Sequence, residues 1–387
     1  MRRAMQRRLP LAVVSASTSG AEEVRDDTAL PGEKPGGGSP LAEFTTLRLG
    51  GPATGLVVAT SENELVDAVR AADGGGHRLL VLGGGSNLVI ADEGFDGHAV
   101  RIATKGREYD NLGDGFVQLT AEAGEDWDDV VADSVAQGLG GLECLSGIPG
   151  LAGATPVQNV GAYGVEVAEL LVSVDLLDRR TGRVRTVQAA DLGLRYRTSV
   201  LKHSDEAVVL RARFRLHDSG LSAPIRYAEL ARTLGVEPGE RVDAAKAREV
   251  VLGLRRGKGM VLDPADHDTW SAGSFFTNPI LPEAELPAAL ERIAEKVGPD
   301  QRIPQYPAEG GGKLSAAWLI ERAGFAKGHQ GPGGRVALSG KHTLALTNRG
   351  GATTADLLEL AREVRDGVRE AFGVTLVPEP VMVDCAV

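Results

Sequence analysis

Residues 147–164 read G-I-P-G-L-A-G-A-T-P-V-Q-N-V-G-A-Y-G, with five glycines, two prolines and no charged side chain. Such a stretch cannot run as one helix, and its prolines argue against a central strand. Ile148, Leu151, Val157 and Val160 want burial, so it is not a solvated linker either. Two readings remain open from these residues alone. One is an apolar, tightly turned loop whose bare backbone approaches a large ligand; the other is a glycine-rich connection packed on a core.

The length of 387 residues allows two or three domains. A net charge of −11 and a pI of about 5.3 argue against nucleic acid as the main partner. They leave room for a local basic pocket. The two cysteines, Cys144 and Cys385, form no CxxC pair, and no histidine spacing suggests a metal site. The expectation is a reduced, cytoplasmic protein without a metal. A basic N-terminus followed by a short apolar run is a faint echo of a signal peptide, but no stretch reaches the roughly 18 apolar residues needed to span a bilayer. Residues 1–41 are expected to be a disordered extension outside the fold, because 17–40 are rich in Ser, Gly, Pro, Asp and Glu.

From residue 43 onward the pattern is mixed. A strand is expected at 56–60, then a helix at 62–73 opened by a Ser61/Glu64 capping box, then a short buried strand at 78–82. That order allows a partly parallel sheet. The second strand empties into Gly83-Gly84-Gly85-Ser86-Asn87, a second glycine-rich turn. Asp126 is placed to cap a helix ending at Gly138. Strands follow at 170–178, 183–187 and 208–216; in the last, Arg211, Arg213 and Arg215 alternate with apolar residues and read as a solvated face. A domain boundary is expected at 217–224. Helices are expected over 241–256, 283–297, 313–323 and 354–372, and a final strand over 374–383.

Common cofactor signatures fail. Leu88 occupies the last glycine of a would-be dinucleotide fingerprint, and 253–259 lacks both the spacing and the Ser/Thr of a P-loop. No G-x-S-x-G elbow is present. What remains is a pair of glycine loops in one apparent domain, able to hold a diphosphate by backbone N–H groups.

Five segments then occur in order: L82-G-G-G-S-N-L, I148-P-G-x-x-G-x-x-P-V-Q-N-V-G-A-Y-G, Y196-R-x-S, A272-G-S-F-F-T-N-P and P378-E-P. Together they resemble the UDP-N-acetylenolpyruvoylglucosamine reductases, the MurB family of peptidoglycan synthesis, over residues 43–387. The resemblance implies an α+β fold. An FAD-binding domain of the vanillyl-alcohol-oxidase (PCMH) type, in two α+β subdomains, would span 43–217. A C-terminal α+β substrate domain would span 218–387, its last strand returning to the FAD domain. It also implies FAD as bound cofactor, NADPH as co-substrate and UDP-N-acetylglucosamine enolpyruvate as substrate, with a monomer expected. In that family a hydride passes from NADPH through FAD to the vinyl carbon of the enolpyruvyl ether, and the resulting carbanion or enol must be protonated.

Residue by residue, the resemblance makes Ser274 the proton donor. Arg197 becomes the steadying group for the substrate carboxylate, a task suited to the guanidinium fork. Glu379, held extended between two prolines, becomes the partner that stabilises the enol with Arg197; a glutamate helps there if it is protonated or orients another donor. Gly83, Gly84, Gly85, Ser86, Asn87, Ile148, Pro149, Gly161 and Arg255 fall to the cofactor. Tyr196, Tyr227, Lys258, Asn278, Tyr306 and His342 fall to the substrate, with Tyr227 pointing to the family form that carries a tyrosine loop. Arg255 and Lys258 would share a helix face if the helix persists. His342 stands where some members have glutamine, and its protonation would add pH dependence. The glycine-rich run 328–335 has no assigned role. Taken singly, each residue has a plainer reading as a turn serine, an exposed arginine or a strand-end acid. Two other readings are another flavin oxidoreductase of this fold, for which neither glycine loop offers a histidine attachment point, and a non-catalytic nucleotide-sugar-binding protein.

Overall fold

The computed structural model describes residues 30–33 and 40–387. Strand β1 (Ala53–Ala59), helix α1 (Glu62–Gly75), β2 (Leu79–Leu82), β3 (Leu88–Ile90) and β4 (Phe95–Ile102) build a first small unit. Its sheet is parallel, in the order β1-β4-β2, and α1 lays Leu65, Ala68, Val69 and Ala72 on it. Ser61 caps α1 by accepting from the Glu64 N–H. The expected capping box is only half made, because the Glu64 carboxylate turns one residue further back, to the Thr60 N–H and hydroxyl. Part of the segment expected to lie outside the fold is packed on this unit. Leu30 is buried in its core, Leu41 is buried in the neighbouring one, and Glu33 reaches His98 at 3.3 Å. The rest of the expected N-terminal extension lies outside the described residues.

A second sheet is formed by β5 (Arg107–Gly113), β6 (Phe116–Glu122), β9 (Leu171–Asp178), β10 (Arg183–Gln188) and β11 (Ala207–His217), antiparallel in the order β10-β9-β11-β6-β5. Between β6 and β9 come helix α2 (Trp127–Ala136) and the small ribbon β7 (Gly161–Ala162) and β8 (Val165–Glu166). The alternation in β11 works as expected on its inner face, where Phe214 meets Trp127 at 5.5 Å. On the outer face Arg215 is exposed as expected, but the other two arginines differ from expectation. Arg211 and Arg213 are partly buried and paired with Asp175, Glu122 and Glu62, since a charge half removed from water needs a partner.

The break expected at 217–224 is not where the cores part. Helices α3 (Ala228–Leu234) and α4 (Ala244–Gly257) set Leu230, Ala231, Leu234 and Val251 into the core of the five-stranded sheet. A separate core gathers residues from Ala272 onward, joined by Leu47, Leu49 and Val89 from the N-terminal part of the chain. It contains β12 (Ile280–Pro282), α5 (Leu286–Val297), β13 (Gln305–Ala308), β14 (Gly311–Leu314), α6 (Ala316–Arg322), β15 (Val336–Leu338), β16 (Leu346–Asn348) and α7 (Thr354–Phe372). The expected helix 313–323 is shorter because 311–314 pair as a strand between β12 and β13. The expected final strand 374–383 shrinks to β17 (Val381–Val383), which pairs in parallel with β3. Pro378 and Pro380 cannot donate to a ladder and confine it.

Helix α7 anchors the second core through Leu357, Ala361, Val364, Val368 and Phe372, and Gly373 closes it in the left-handed region. At its start Thr353 and Asp356 form a capping box. Asp356 also receives both Nε and Nη2 of Arg335, which gives the glycine-rich 328–335 run a structural task. The Arg335 hydrogen bond, ahead of the cost of burial, draws the Asp356 carboxyl down to about 2. A depressed folded-state value contributes stability that is present above the ordinary aspartate value and is lost as pH falls towards 2. Asp356→Asn should therefore lower the thermal midpoint by about 2 °C at pH 7, with the gap from the parent protein narrowing in acid. Equal midpoints at pH 7, or a gap that does not depend on pH, would contradict this account.

Candidate active site

The first glycine turn leaves β2 directly beneath the second glycine loop. A Cβ on Gly84 would lie 2.7 Å from the Gly150 Cα, so the two loops meet backbone to backbone. Gly85 has φ +59°, and a Cβ there would strike the Phe44 carbonyl oxygen at 1.8 Å. The Asn87 amide donates to the Gln158 side chain at 2.7 Å and fixes the loops side by side. Among the described residues, the N–H groups of Gly84, Gly85, Ser86, Ile148 and Gly150 make no hydrogen bond within the protein. Five backbone donors left without a partner on two adjoining loops suit a diphosphate.

A cavity of about 160 Å³ opens between these loops and the second core. Ser86, Asn87, Ile148, Pro149 and Gly161 form one side of it. Arg255 forms another, from the last turn of α4. Its Nη2 donates to the carbonyls of Gly147 (3.2 Å) and Met260 (2.7 Å), while its buried Nε has no partner. Burial brings this guanidinium down to about 10, so it remains a cation at neutral pH. An orphaned, buried, cationic donor beside two glycine loops is what the phosphates or ring carbonyls of a flavin nucleotide require. The residues present fit FAD.

Opposite stand Ser274, Arg197 and Glu379, all facing the cavity. Ser274 follows Gly273, whose φ is +74°, and precedes Phe275 and Phe276, both fully buried in the second core. The Glu379 N–H donates to the Phe275 carbonyl at 2.9 Å and the Thr277 N–H to that of Val377 at 3.0 Å. This pairing sets Ser274 and Glu379 side by side, although they are far apart in sequence. Arg197 enters from the first core. It has φ +55°, donates through Nη2 to the Gly161 carbonyl at 2.8 Å, and places Nε 3.3 Å from a Glu379 oxygen. Burial pushes the Glu379 carboxyl above its ordinary value, opposed by the charges of Arg197 and Lys202.

The residues expected to bind substrate are arranged less compactly, and none of the six is among the cavity walls. Tyr227 is exposed and meets Tyr163 edge to face at 5.4 Å. Lys258 pairs with Glu229 at 2.5 Å, its ammonium 5.9 Å from the Tyr163 ring. Because α4 ends at Gly257, Lys258 does not continue the helix face of Arg255. The side-chain oxygen of Asn278 is taken by the Ala316 N–H at 3.0 Å. Tyr196 carries the Lys313 ammonium 4.7 Å from its ring, and Tyr306 lies opposite Lys313 in the β13–β14 ladder, exposed. His342 does not supply the expected pH dependence. Burial, with the nearby charges of Lys258, Lys327 and Arg255, pushes it down to about 4, so it is neutral at physiological pH. Sequence reasoning missed Gln158, Met260, Ser271 and Lys202. Gln158 sits inside the quoted glycine motif and was within reach; the others carry no local signal.

Residues 53–188 match an FAD binding domain, and residues 263–383 match the C-terminal domain of UDP-N-acetylenolpyruvoylglucosamine reductase. The chain is 76% identical to the UDP-N-acetylenolpyruvoylglucosamine reductase of Saccharopolyspora erythraea, over 95% of this chain and 100% of that one. It is 61% identical to that of Nocardia farcinica, over 89% and 88% of the two chains. The crystal structure of UDP-N-acetylenolpyruvylglucosamine reductase (MurB) from Thermus caldophilus superimposes with a TM-score of 0.60 at 27% identity, over 89% of this chain and 97% of that one. With the glycine loops, the orphaned arginine and the Ser274–Arg197–Glu379 wall already in place, these similarities put the chain in the UDP-N-acetylenolpyruvoylglucosamine reductase family.

Proposed function

We propose that the Ser274–Arg197–Glu379 wall carries the reduction of UDP-N-acetylglucosamine enolpyruvate to UDP-N-acetylmuramate, a step of peptidoglycan precursor synthesis, with NADPH as reductant. The chemistry that bound FAD would supply is the relay of a hydride from NADPH to the substrate's vinyl carbon. Gly83–Asn87, Ile148 and Gly161 would hold the cofactor by their backbone, Pro149 by apolar contact and Arg255 by its cation. The observation that carries the reading is the meeting of a hydroxyl, a guanidinium and a buried carboxyl from three chain segments at one cavity beside the glycine loops.

The roles follow from the charge that develops. Electron density moves onto the substrate carboxylate, and Arg197, fixed by Gly161 and Glu379, offers it two parallel donors. The Ser274 hydroxyl gives its proton to the adjacent carbon. Glu379, made easier to protonate by burial, donates a hydrogen bond to the enol oxygen. Tyr196, Tyr227, Lys258, Asn278, Tyr306 and His342 are assigned to the nucleotide sugar, with Lys258 and the paired tyrosines Tyr163 and Tyr227 at the outer end. One chain supplies every member of the site, which supports a monomer. No helix among the described residues is long and apolar enough to cross a membrane, and both cysteines are free thiols, which supports action in the cytoplasm.

Purified protein should be yellow, carry one FAD per chain and behave in solution as a 40.4 kDa particle. A colourless, flavin-free preparation would sink the cofactor reading, and a dimer mass the monomer. Ser274→Ala should let NADPH bleach the flavin at the normal rate while reoxidation by the enolpyruvyl substrate slows by about 10²–10⁴-fold; an unchanged reoxidation rate would remove Ser274 from the chemistry. Because protonated Glu379 is the active form, reoxidation should fall as pH rises through its elevated value. Glu379→Gln, which keeps a donor at every pH, should lose that limb. A limb that persists in the glutamine variant belongs to another group.

A further inference from the structure

We propose that Lys202 is a positioning residue for the reduction step, its ammonium joining the main chain of Arg197 to that of Glu379 and so holding the pair in register across the cavity. This rests on the roles proposed above for those two residues. The Lys202 Nζ donates to the Arg197 carbonyl at 3.1 Å and to the Glu379 carbonyl at 3.4 Å. Among the described residues it makes no ion pair with a carboxylate oxygen within 4 Å, so this half-buried cation is committed to two carbonyls. That is an uncommon use of a lysine, and the carbonyls belong to two residues of the site.

The need for such a tie follows from how each side is built. On one side the turn that carries Arg197 is anchored within its own core. Asn159 donates to the Arg195 carbonyl at 3.1 Å, Ser199 to that of Val157 at 2.5 Å, and Arg195 and Thr198 exchange backbone bonds of 3.0 and 3.1 Å. Arg197 itself is left-handed, a conformation a non-glycine residue holds only when its surroundings enforce it. On the other side Glu379 is held by the Phe275 carbonyl, and Val381 donates to Asn87 at 2.9 Å. None of these bonds sets the distance between the Arg197 turn and the Glu379 segment. Lys202 spans that gap with one side chain whose ammonium meets main-chain carbonyls on both sides, while the Arg197–Glu379 ion pair needs two side chains to meet.

The charged groups acting on Glu379 are Arg197 and Lys202, from the two successive turns that face it. Those acting on Lys202 are the same Glu379 and Arg197, with His203 as its sequence neighbour, whose pKa desolvation and the Lys202 charge push below the ordinary value. Removing the ammonium therefore makes Glu379 easier to protonate.

The test uses holoenzyme of Lys202→Met and Lys202→Arg, with the two half-reactions followed by flavin absorbance. Lys202→Met should keep its FAD and be reduced by NADPH within about twofold of the parent rate, while reoxidation by the enolpyruvyl substrate slows about 10- to 100-fold. The alkaline limb of that step should move to higher pH, and Lys202→Arg, which keeps a cationic donor, should restore most of the rate. The inference is overturned if reoxidation and its pH limb are unchanged in Lys202→Met, or if both half-reactions and FAD content fall together and arginine does not rescue them. Should the methionine variant fail to fold, Lys202→Gln, with a donor but no charge, is judged by the same readings. Arg197→Lys and Glu379→Ala, which removes the carboxyl donor altogether, are run in parallel. If they also leave reoxidation untouched, the roles proposed for that pair fail; if they slow it and the Lys202 variants do not, only this inference fails.

Discussion

A largely desolvated carboxyl, Glu379, faces the Arg197 guanidinium across this site, and neighbouring hydrogen bonds serve to keep the pair in place. Taking the two charges of Glu379 and Arg197 out of water costs several kcal/mol per ion before their attraction returns any of it. The pair is tolerable because the remaining donors and acceptors around it are met. Arg197 donates to Gly161, the Glu379 N–H donates to Phe275, and Lys202 caps two carbonyls. The residual imbalance leaves Glu379 easier to protonate than an ordinary glutamate. A carboxyl in that state can act as a donor where negative charge develops.

The glycine loops solve a different problem. A nucleotide cofactor needs many weak donors at short range, and side chains would stand in the way. Gly84 against Gly150, with Gly85 against Phe44, leaves no room for a Cβ at either contact and brings the two loops together backbone to backbone. Arg255 adds a half-buried cation to this wall, tied by two carbonyls and still holding one buried, unpaired N–H. A protein of net charge −11 thus presents a local patch of the opposite sign, and bulk charge says little about a pocket this small.

The site lies on a seam. One core holds the five-stranded sheet together with α2, α3 and α4, and the other holds α7 and its neighbours. Arg197 and Arg255 come from the first, Ser274 and Glu379 from the second. The return of β17 to β3 closes the seam, since it fixes the tail that carries Glu379 two residues before it pairs. Chemistry at a seam needs neither core to be disturbed, which suits a cavity that must admit two different substrates in turn.

Helix α7, with its apolar stripe and closing glycine, was legible from spacing alone, as were the first parallel strands and the alternation of β11, because these depend on residues within one or two turns of each other. The five motifs in order were enough to pick out the family and the three residues of the proposed wall, since side-chain identity at fixed spacing is what a sequence records. Long-range pairing decided the rest. Helices α3 and α4 have apolar stripes that do not state which core will take them, so the expected boundary fell too early. The arginines of β11 read as solvated because their partners Asp175, Glu122 and Glu62 lie on other elements. His342 read as a titrating group until burial made it neutral. Lys202 carried no local signal at all, because its importance lies in two carbonyls that only the folded chain brings within reach of one ammonium.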